Sequence, residues 1–108
     1  MGKMSRDKGK VGEREVAGLL RTHGFADARR GQQFAGGGDS PDVAGLPGFH
    51  IEVKRVEAFS PYTALEQATN ERAAGTIPVV FHRRNKKGWI VVLDAVDFLN
   101  FIKRNENG

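Results

Sequence analysis

The chain of 108 residues contains no cysteine, which excludes disulfide bonds and thiolate metal sites. It has no apolar run long enough to cross a membrane and no apolar N-terminal segment of the signal-peptide kind. Three consecutive glycines are present, but no Gly-Lys-Ser/Thr follows them, so they are not a phosphate-cradling loop. These absences predict a cytoplasmic protein, and the length predicts one domain over residues 1–108.

The charge of the chain favours a polyanionic partner. Its formal net charge is +4 and its pI is near 9.8, which is consistent with nucleic-acid binding but is also found in proteins with no such partner. The positive residues form clusters in the first ten residues, at Arg29-Arg30 and in the segment 83–87. Residues 1–9 are expected to form a basic, flexible N-terminal arm.

Apolar periodicity and turn residues predict an α/β fold in the order αβββαββα, with a central mixed β-sheet flanked by helices. Strands are predicted over residues 27–33, 41–45, 49–55, 77–82 and 89–93. Helices are predicted over 12–23, ending at Gly24, and over about 61–74, opened by Ser60 and Pro61. A last helix follows the capping residue Asp94, with one apolar face formed by Ala95, Phe98, Leu99 and Ile102.

The segment 49–55 alternates strictly between apolar and polar residues, which is typical of a strand. Its polar face carries His50, Glu52 and Lys54. The preceding Pro47 and Gly48 favour a tight turn, because proline fixes φ at one corner and glycine tolerates positive φ at the next. The two features together predict a β-hairpin.

The register of this hairpin places two acidic residues opposite each other. If the turn is centred on Pro47, Val43 pairs with Ile51 and Asp42 pairs with Glu52, at roughly 5 Å between β-carbons. Two carboxylates that close repel unless a proton or a cation lies between them. A divalent ion between the two carboxylates is the interpretation that would also serve catalysis. Asp39 is a rival to Asp42, but it lies beyond any strand pairing and next to the glycines.

Glu13 has an unusual position in the first helix. The residues three, four and seven positions later are all apolar: Val16, Ala17 and Leu20. A carboxylate at the head of a buried face needs compensation. Either it complements the dipole of a helix that starts nearby, or it points under the sheet toward the pair formed by Asp42 and Glu52.

These motifs together resemble those of the PD-(D/E)xK nuclease superfamily, and most of all its archaeal-type and phage Holliday junction resolvases. The matching residues are Lys10 to Glu15, Gly24-Phe25, Arg29, Asp42, Ile51-Glu52-Val53-Lys54, Ile77-Pro78-Val79 and Trp89. The resemblance implies a restriction-endonuclease-like core encoded by a phage or prokaryote. It also implies a Mg²⁺-dependent, structure-specific endodeoxyribonuclease, with Mn²⁺ as a substitute, that acts on branched DNA in recombination or repair.

The expected catalytic residues are Glu13, Asp42, Glu52 and Lys54. Asp42 and Glu52 are the expected metal ligands, and the resemblance adds the backbone carbonyl of Val53 and, for a second ion or a bound water, Glu13. Lys54 is expected to orient the attacking water; its alternative is an ion pair with Glu52. Gln67 is a candidate for contact with the site, with an ordinary surface glutamine as the alternative.

The expected DNA contacts are all basic: Lys10, Arg14, Arg29, Arg30, Arg83, Arg84, Lys86 and Lys87. Each of them has an ordinary solvated surface residue as its alternative. Since two symmetric cuts need two sites and one chain provides one, a homodimer is expected. Neither a membrane nor a small-molecule cofactor is expected as a partner. Two other functions stay open: another phage or repair nuclease of the same fold, such as a virus-type replication-repair nuclease or a nicking enzyme, and a catalytically inert DNA-binding module.

Overall fold

The structure, a computed structural model, describes residues 2–31 and 40–106, with side chains from residue 9 onward. The predicted order αβββαββα is confirmed. The helices are α1 (Gly2–Thr22), α2 (Pro61–Glu71) and α3 (Ala95–Glu106). The strands are β1 (Arg29–Arg30), β2 (Val43–Ala44), β3 (Phe49–Arg55), β4 (Ile77–Arg83) and β5 (Ile90–Val92). No helix within the described ranges has both the length and the apolar character needed to span a membrane.

The five strands form one mixed sheet in the order β1-β2-β3-β4-β5. β3 and β4 are parallel and joined by α2, and the other neighbouring pairs are antiparallel. Successive side chains of a strand point to opposite faces, so the sheet has two different cores. On one face α1 packs against odd-numbered residues such as Ile51 and Val53. On the other face α2 packs its Ala64 and Ala68 against Val80.

The predicted hairpin is confirmed, including its register. Phe49 N–H donates to Leu46 C=O at 3.2 Å, and Gly48 has a φ of +84°, as a turn with Pro47 and Gly48 at its corners requires. Val43 pairs with Ile51, which is the pairing that places Asp42 beside Glu52.

Helix α1 begins at Gly2, ten residues before the predicted start at Gly12, so residues 2–9 are helical where a flexible arm was predicted. The prediction was wrong because the apolar periodicity marks only the part of a helix that packs on a core. The first residues are polar but include good helix formers such as Lys and Arg. They extend the helix N-terminally of its apolar stripe.

Several other element ends also differ from prediction. α2 ends at Glu71 rather than near Ala74, and Ser60 does not cap it, because its Oγ donates to Thr63 Oγ1 at 3.0 Å instead. β1 has two residues, and residues 27, 28 and 31 of its predicted range are not in a strand; residues 32–33 and the glycine segment with Asp39 lie outside the described residues. The predicted cap of α3 is confirmed, since Asp94 Oδ1 accepts from the N–H groups of Val96 and Asp97.

Gly45 fixes how closely the hairpin approaches the segment before β1. Its φ is +104°, and a β-carbon there would lie 2.6 Å from Ala28 Cα. Gly48 also has a positive φ but has no heavy atom within 4 Å of that position. A substitution at Gly48 therefore introduces backbone strain alone, whereas a substitution at Gly45 adds steric overlap with the backbone.

We expect Gly48→Ala to destabilise the fold by about 1 kcal/mol, the cost of a left-handed residue with a β-carbon. Gly45→Ala should cost at least about 2 kcal/mol more, because the added methyl group overlaps backbone atoms that cannot move away freely. Urea unfolding of both variants beside the unchanged protein measures the difference. Equal midpoints for the two variants would contradict the close approach at Gly45.

Candidate active site

The site is built on β3, which lies at the centre of the sheet and is covered by helices on both faces. The face under α2 presents His50 and Glu52, which are only 2% and 3% exposed. Burying a carboxylate is costly unless it is neutralised or paired. A polar pair at this depth is therefore unusual for a central strand.

Asp42 is fixed against β3 on either side of Glu52. Its N–H donates to the C=O of Ile51 at 2.8 Å, and its Oδ2 accepts from the N–H of Val53 at 2.8 Å. Strand β2 begins at Val43, so Asp42 lies just before it. Its side-chain oxygen accepts the hydrogen bond from Val53 N–H that a backbone carbonyl would accept if the strand pairing continued. Asp42 and Glu52 are thus adjacent, as the hairpin register predicts.

The surroundings of Glu52 hold a proton on it. Burial is the largest cause, followed by the neighbouring carboxylates of Asp42 and Glu71, and together they raise the pKa of Glu52 from 4.5 to about 10. Without a bound cation, this side chain is a neutral acid at pH 7. His50 Nε2 is hydrogen-bonded to Glu52 Oε1 at 3.1 Å. His50, which the sequence places on the same strand face as Glu52, is buried rather than exposed to solvent.

Lys54 does not pair with Glu52, so its alternative interpretation fails. Its Nζ donates to Gln67 Oε1 at 3.0 Å, and Gln67 Nε2 donates to Glu71 Oε1 at 3.5 Å. Gln67, proposed from the sequence as a site contact, is therefore in direct contact with the predicted catalytic lysine. Glu71 was missed. The signal that could have found it is its spacing of four residues from Gln67, which places both on one face of α2.

Glu13 approaches the site from α1, which packs on the face of the sheet opposite to α2. The helix can come this close because Gly12 has no side chain; a β-carbon there would lie 2.9 Å from Arg55 Cβ. Burial and the charge of Asp42 raise the pKa of Glu13, although Arg30 and Lys10 oppose the shift. Glu13 lies in the middle of α1, so the helix-dipole interpretation fails.

Two of the predicted DNA contacts form ion pairs with glutamates inside the protein. Arg30 Nε donates to Glu13 Oε1 at 2.9 Å. Arg83 belongs to the end of β4 rather than to the turn, and its Nη1 donates to Glu15 Oε1 at 3.0 Å while its guanidinium lies over the Trp89 ring. The other six predicted DNA contacts are exposed: Lys10, Arg14, Arg29, Arg84, Lys86 and Lys87.

The donor set suits a small hard cation that takes few protein ligands. Over residues 9–31 and 40–106, no three His, Cys, Asp or Glu side chains are arranged to hold a metal. Mg²⁺ binds through one or two carboxylates and keeps several waters. Asp42 and Glu52 are the adjacent carboxylates that could hold such an ion. Since the N–H and C=O of an extended residue point to the same side, the Val53 carbonyl is directed toward Asp42 as well.

In comparisons with known proteins, no family model matches the chain, and no curated protein or solved structure gives a significant match. The geometry above and the sequence motifs are therefore what support a function.

We expect Glu52→Gln to stabilise the metal-free protein increasingly as the pH rises. Because the folded-state pKa of Glu52 is raised, its favourable contribution is fully present below about pH 4.5 and is lost progressively toward pH 10. A glutamine stays neutral, so the advantage of the variant should reach up to about 3 kcal/mol at pH 7. Thermal unfolding in a chelator from pH 4.5 to 9 measures it.

The matched control is Glu66→Gln, which makes the same chemical change on the exposed side of α2. It should follow the pH dependence of the unchanged protein. Parallel stability curves for Glu52→Gln and the unchanged protein would show that Glu52 is ionised in the fold.

Proposed function

We propose that this chain is a Mg²⁺-dependent, structure-specific DNA endonuclease of the PD-(D/E)xK type, acting as a Holliday junction resolvase. The observation that supports this best is the hydrogen bond from Val53 N–H to Asp42. It keeps a second carboxylate beside the buried Glu52, with Lys54 two residues further along the same strand face. An arrangement of two acids and an amine that does not neutralise them is costly for stability alone, and it is what phosphodiester hydrolysis requires.

Hydrolysis of a phosphodiester needs an in-line hydroxide, neutralisation of the phosphoryl charge and stabilisation of the leaving alkoxide, and bound Mg²⁺ supplies all three. Asp42 and Glu52 would hold the ion, and Glu52 must release its proton to do so. The Val53 carbonyl is directed to the same place. Glu13, tied to Arg30, would accept a hydrogen bond from an ion-bound water.

The amine of Lys54 would donate hydrogen bonds to the scissile phosphate or the attacking water. Gln67 Oε1 accepts a hydrogen bond from this amine at 3.0 Å, and Gln67 Nε2 donates one to Glu71 Oε1. This tether limits the rotamers of a long, flexible side chain and so positions its charge before substrate binds. Gln67 and Glu71 are positioning residues in this proposal.

A DNA substrate fits the charge distribution. The turn between β4 and β5 exposes Arg84, Lys86 and Lys87, and the exposed side of α1 adds Lys10 and Arg14. These side chains are available to phosphates, whereas Arg30 and Arg83 are committed to glutamates. A homodimer would supply the two sites that symmetric cleavage of a four-way junction needs.

The substrate class is tested by cleavage of labelled four-way junction, flap, nicked and linear DNA with and without Mg²⁺. Mg²⁺-dependent cleavage of the junction in preference to the others is expected. Preference for a flap, nick or linear duplex would instead indicate another nuclease of the same fold. Binding without cleavage of any DNA or RNA in Mg²⁺ or Mn²⁺ would indicate an inert binding module.

We expect Asp42→Asn and Glu52→Gln each to lower the cleavage rate by at least about 10³-fold, because each removes a ligand of an ion that contributes several kcal/mol to the transition state. Junction affinity should stay within about threefold, since a metal ligand is not a phosphate contact. Gel-shift and single-turnover cleavage assays measure the two effects separately. Glu66→Gln is the matched control; full activity in either site variant would contradict the assigned roles.

We expect Arg84→Ala with Lys87→Ala to weaken junction binding and to reduce the slope of log affinity against log salt by about 1.8, or 0.9 for each phosphate that the protein no longer neutralises. Arg83→Ala should instead lower the unfolding midpoint, because it leaves Glu15 without its ion pair, and should change the slope little. A salt titration of binding and a thermal unfolding curve for both variants distinguish the two kinds of arginine. An unchanged slope in the double variant would remove the turn from the DNA interface.

A further inference from the structure

A cavity of about 460 Å³ lies between the loop that follows β3 and the turn that joins β4 to β5. It is called the turn pocket below. Its lining includes the aromatic residues Phe59 and His82, the basic residues Arg84 and Lys87, and the acidic residue Glu57. The volume and the mixture of aromatic and charged residues are typical of pockets that bind small organic groups.

The two aromatic rings of the turn pocket are held in place by the fold. The ring of Phe59 stacks on the imidazole of His82, with centroids 3.8 Å apart and 8° between the planes. His82 Nε2 donates to the C=O of Val56 at 3.0 Å, and Phe59 also packs against the core under α2. Rings fixed in this way provide a stacking surface for a planar ligand without further ordering.

The charges of the turn pocket favour an anion. Arg84 and Lys87 are exposed, and no ion pair between described side chains uses either of them. Glu57 would oppose an anion, but its Oε2 accepts from Asn85 N–H at 2.8 Å and from Arg55 Nη1 at 3.5 Å. A ligand that combines a planar ring with a phosphate, which is a nucleotide, matches both the aromatic and the basic residues.

The turn pocket adjoins the candidate active site. Lys54 and His82 are direct partners in the parallel pairing of β3 and β4, and paired residues of neighbouring strands lie on the same face of the sheet. Phe59 also lines a second cavity, of about 220 Å³, together with Lys54 and Gln67. A nucleotide in the turn pocket would therefore lie next to a phosphate at Lys54.

We propose that the turn pocket binds one unpaired nucleotide of a DNA strand, beside the phosphate that is cleaved. Its base would stack on Phe59, and its phosphate would contact Arg84 and Lys87. A base inside a duplex must leave the stack to reach such a pocket, so a strand with unpaired nucleotides at a branch point is preferred. DNA is chosen as the ligand on the strength of the proposed function, but binding in the turn pocket needs neither metal nor cleavage.

The probes are deoxyadenosine monophosphate, deoxyadenosine and inorganic phosphate, each added to the isotope-labelled chain in a chelator. Binding is followed by the amide NMR signals of Gly88 and Ile90, which line the pocket. The monophosphate should shift both signals and bind at least about tenfold more tightly than either component, because the linked base and phosphate bind together. Equal affinity for phosphate and monophosphate would indicate an anion site only. That result, or no shift with any probe, would overturn the proposal.

Two variants separate the base contact from the phosphate contact. Phe59→Leu keeps an apolar side chain in the core but removes the ring, so it should weaken monophosphate binding at least about fivefold and leave inorganic phosphate within about twofold. Arg84→Gln should weaken both at least about threefold. The matched controls are Tyr62→Leu, 89% exposed on α2, and Arg104→Gln, exposed on α3; neither should change binding. Unchanged monophosphate affinity in a folded Phe59→Leu variant would contradict the stacking role.

A last comparison separates a nucleotide within a strand from a free one. A single-stranded oligonucleotide of five deoxyadenosines should shift the same signals at least about tenfold more tightly than the mononucleotide, because neighbouring phosphates add contacts. Binding of a blunt duplex should not depend on Phe59. Tighter binding of the mononucleotide, or an equal loss of duplex binding in Phe59→Leu, would overturn the proposal. A chain that binds the single strand in this way but cuts no DNA would support the turn pocket and contradict the proposed function.

Discussion

The buried carboxyl group of Glu52 is the constraint that organises this protein around its central strand. It is 3% exposed and has the acids Asp42 and Glu71 as neighbours, so it must bind a proton or a cation to be tolerated. The fold enforces the contact through backbone groups. Val53 N–H holds Asp42, and the Val43–Ile51 pair fixes the register beside it.

Three other elements, the hairpin, α1 and α2, place polar side chains next to that strand. The hairpin places Asp42 beside β3 within the sheet. Helix α1 supplies Glu13 from one face, which the missing side chain at Gly12 makes possible. From the other face α2 supplies Gln67 and Glu71, after burying small alanines against the sheet. The parallel pairing of β3 and β4 needs a long crossover, and α2 is that crossover. Its position over Glu52 thus follows from the topology itself.

The sequence predicted those features that depend on neighbours along the chain. The order of elements, the turn at Pro47-Gly48 and the adjacency of Asp42 and Glu52 all follow from period-two alternation and turn chemistry, and the structure has them. Features that depend on the packing of distant elements were missed or assigned differently. Burial of His50 and the contribution of Glu71 both require knowing that α2 covers β3. Arg30 and Arg83 were assigned to DNA because a cluster of charges does not reveal a glutamate 17 or 68 residues away.

The partners of the basic residues bear on how the site can act. A lysine two residues from a buried acid on one strand face would normally neutralise it, and the pair would then be a structural ion pair. Here Lys54 donates its hydrogen bond to Gln67 instead, and the carboxyl group of Glu52 stays protonated. A cation that enters would therefore compete with a bound proton rather than with an internal ammonium, and because the pKa of Glu52 is raised it must displace that proton at neutral pH. The hydrogen bond to Gln67 keeps the lysine amine from neutralising Glu52, and this distinguishes the arrangement from a structural ion pair.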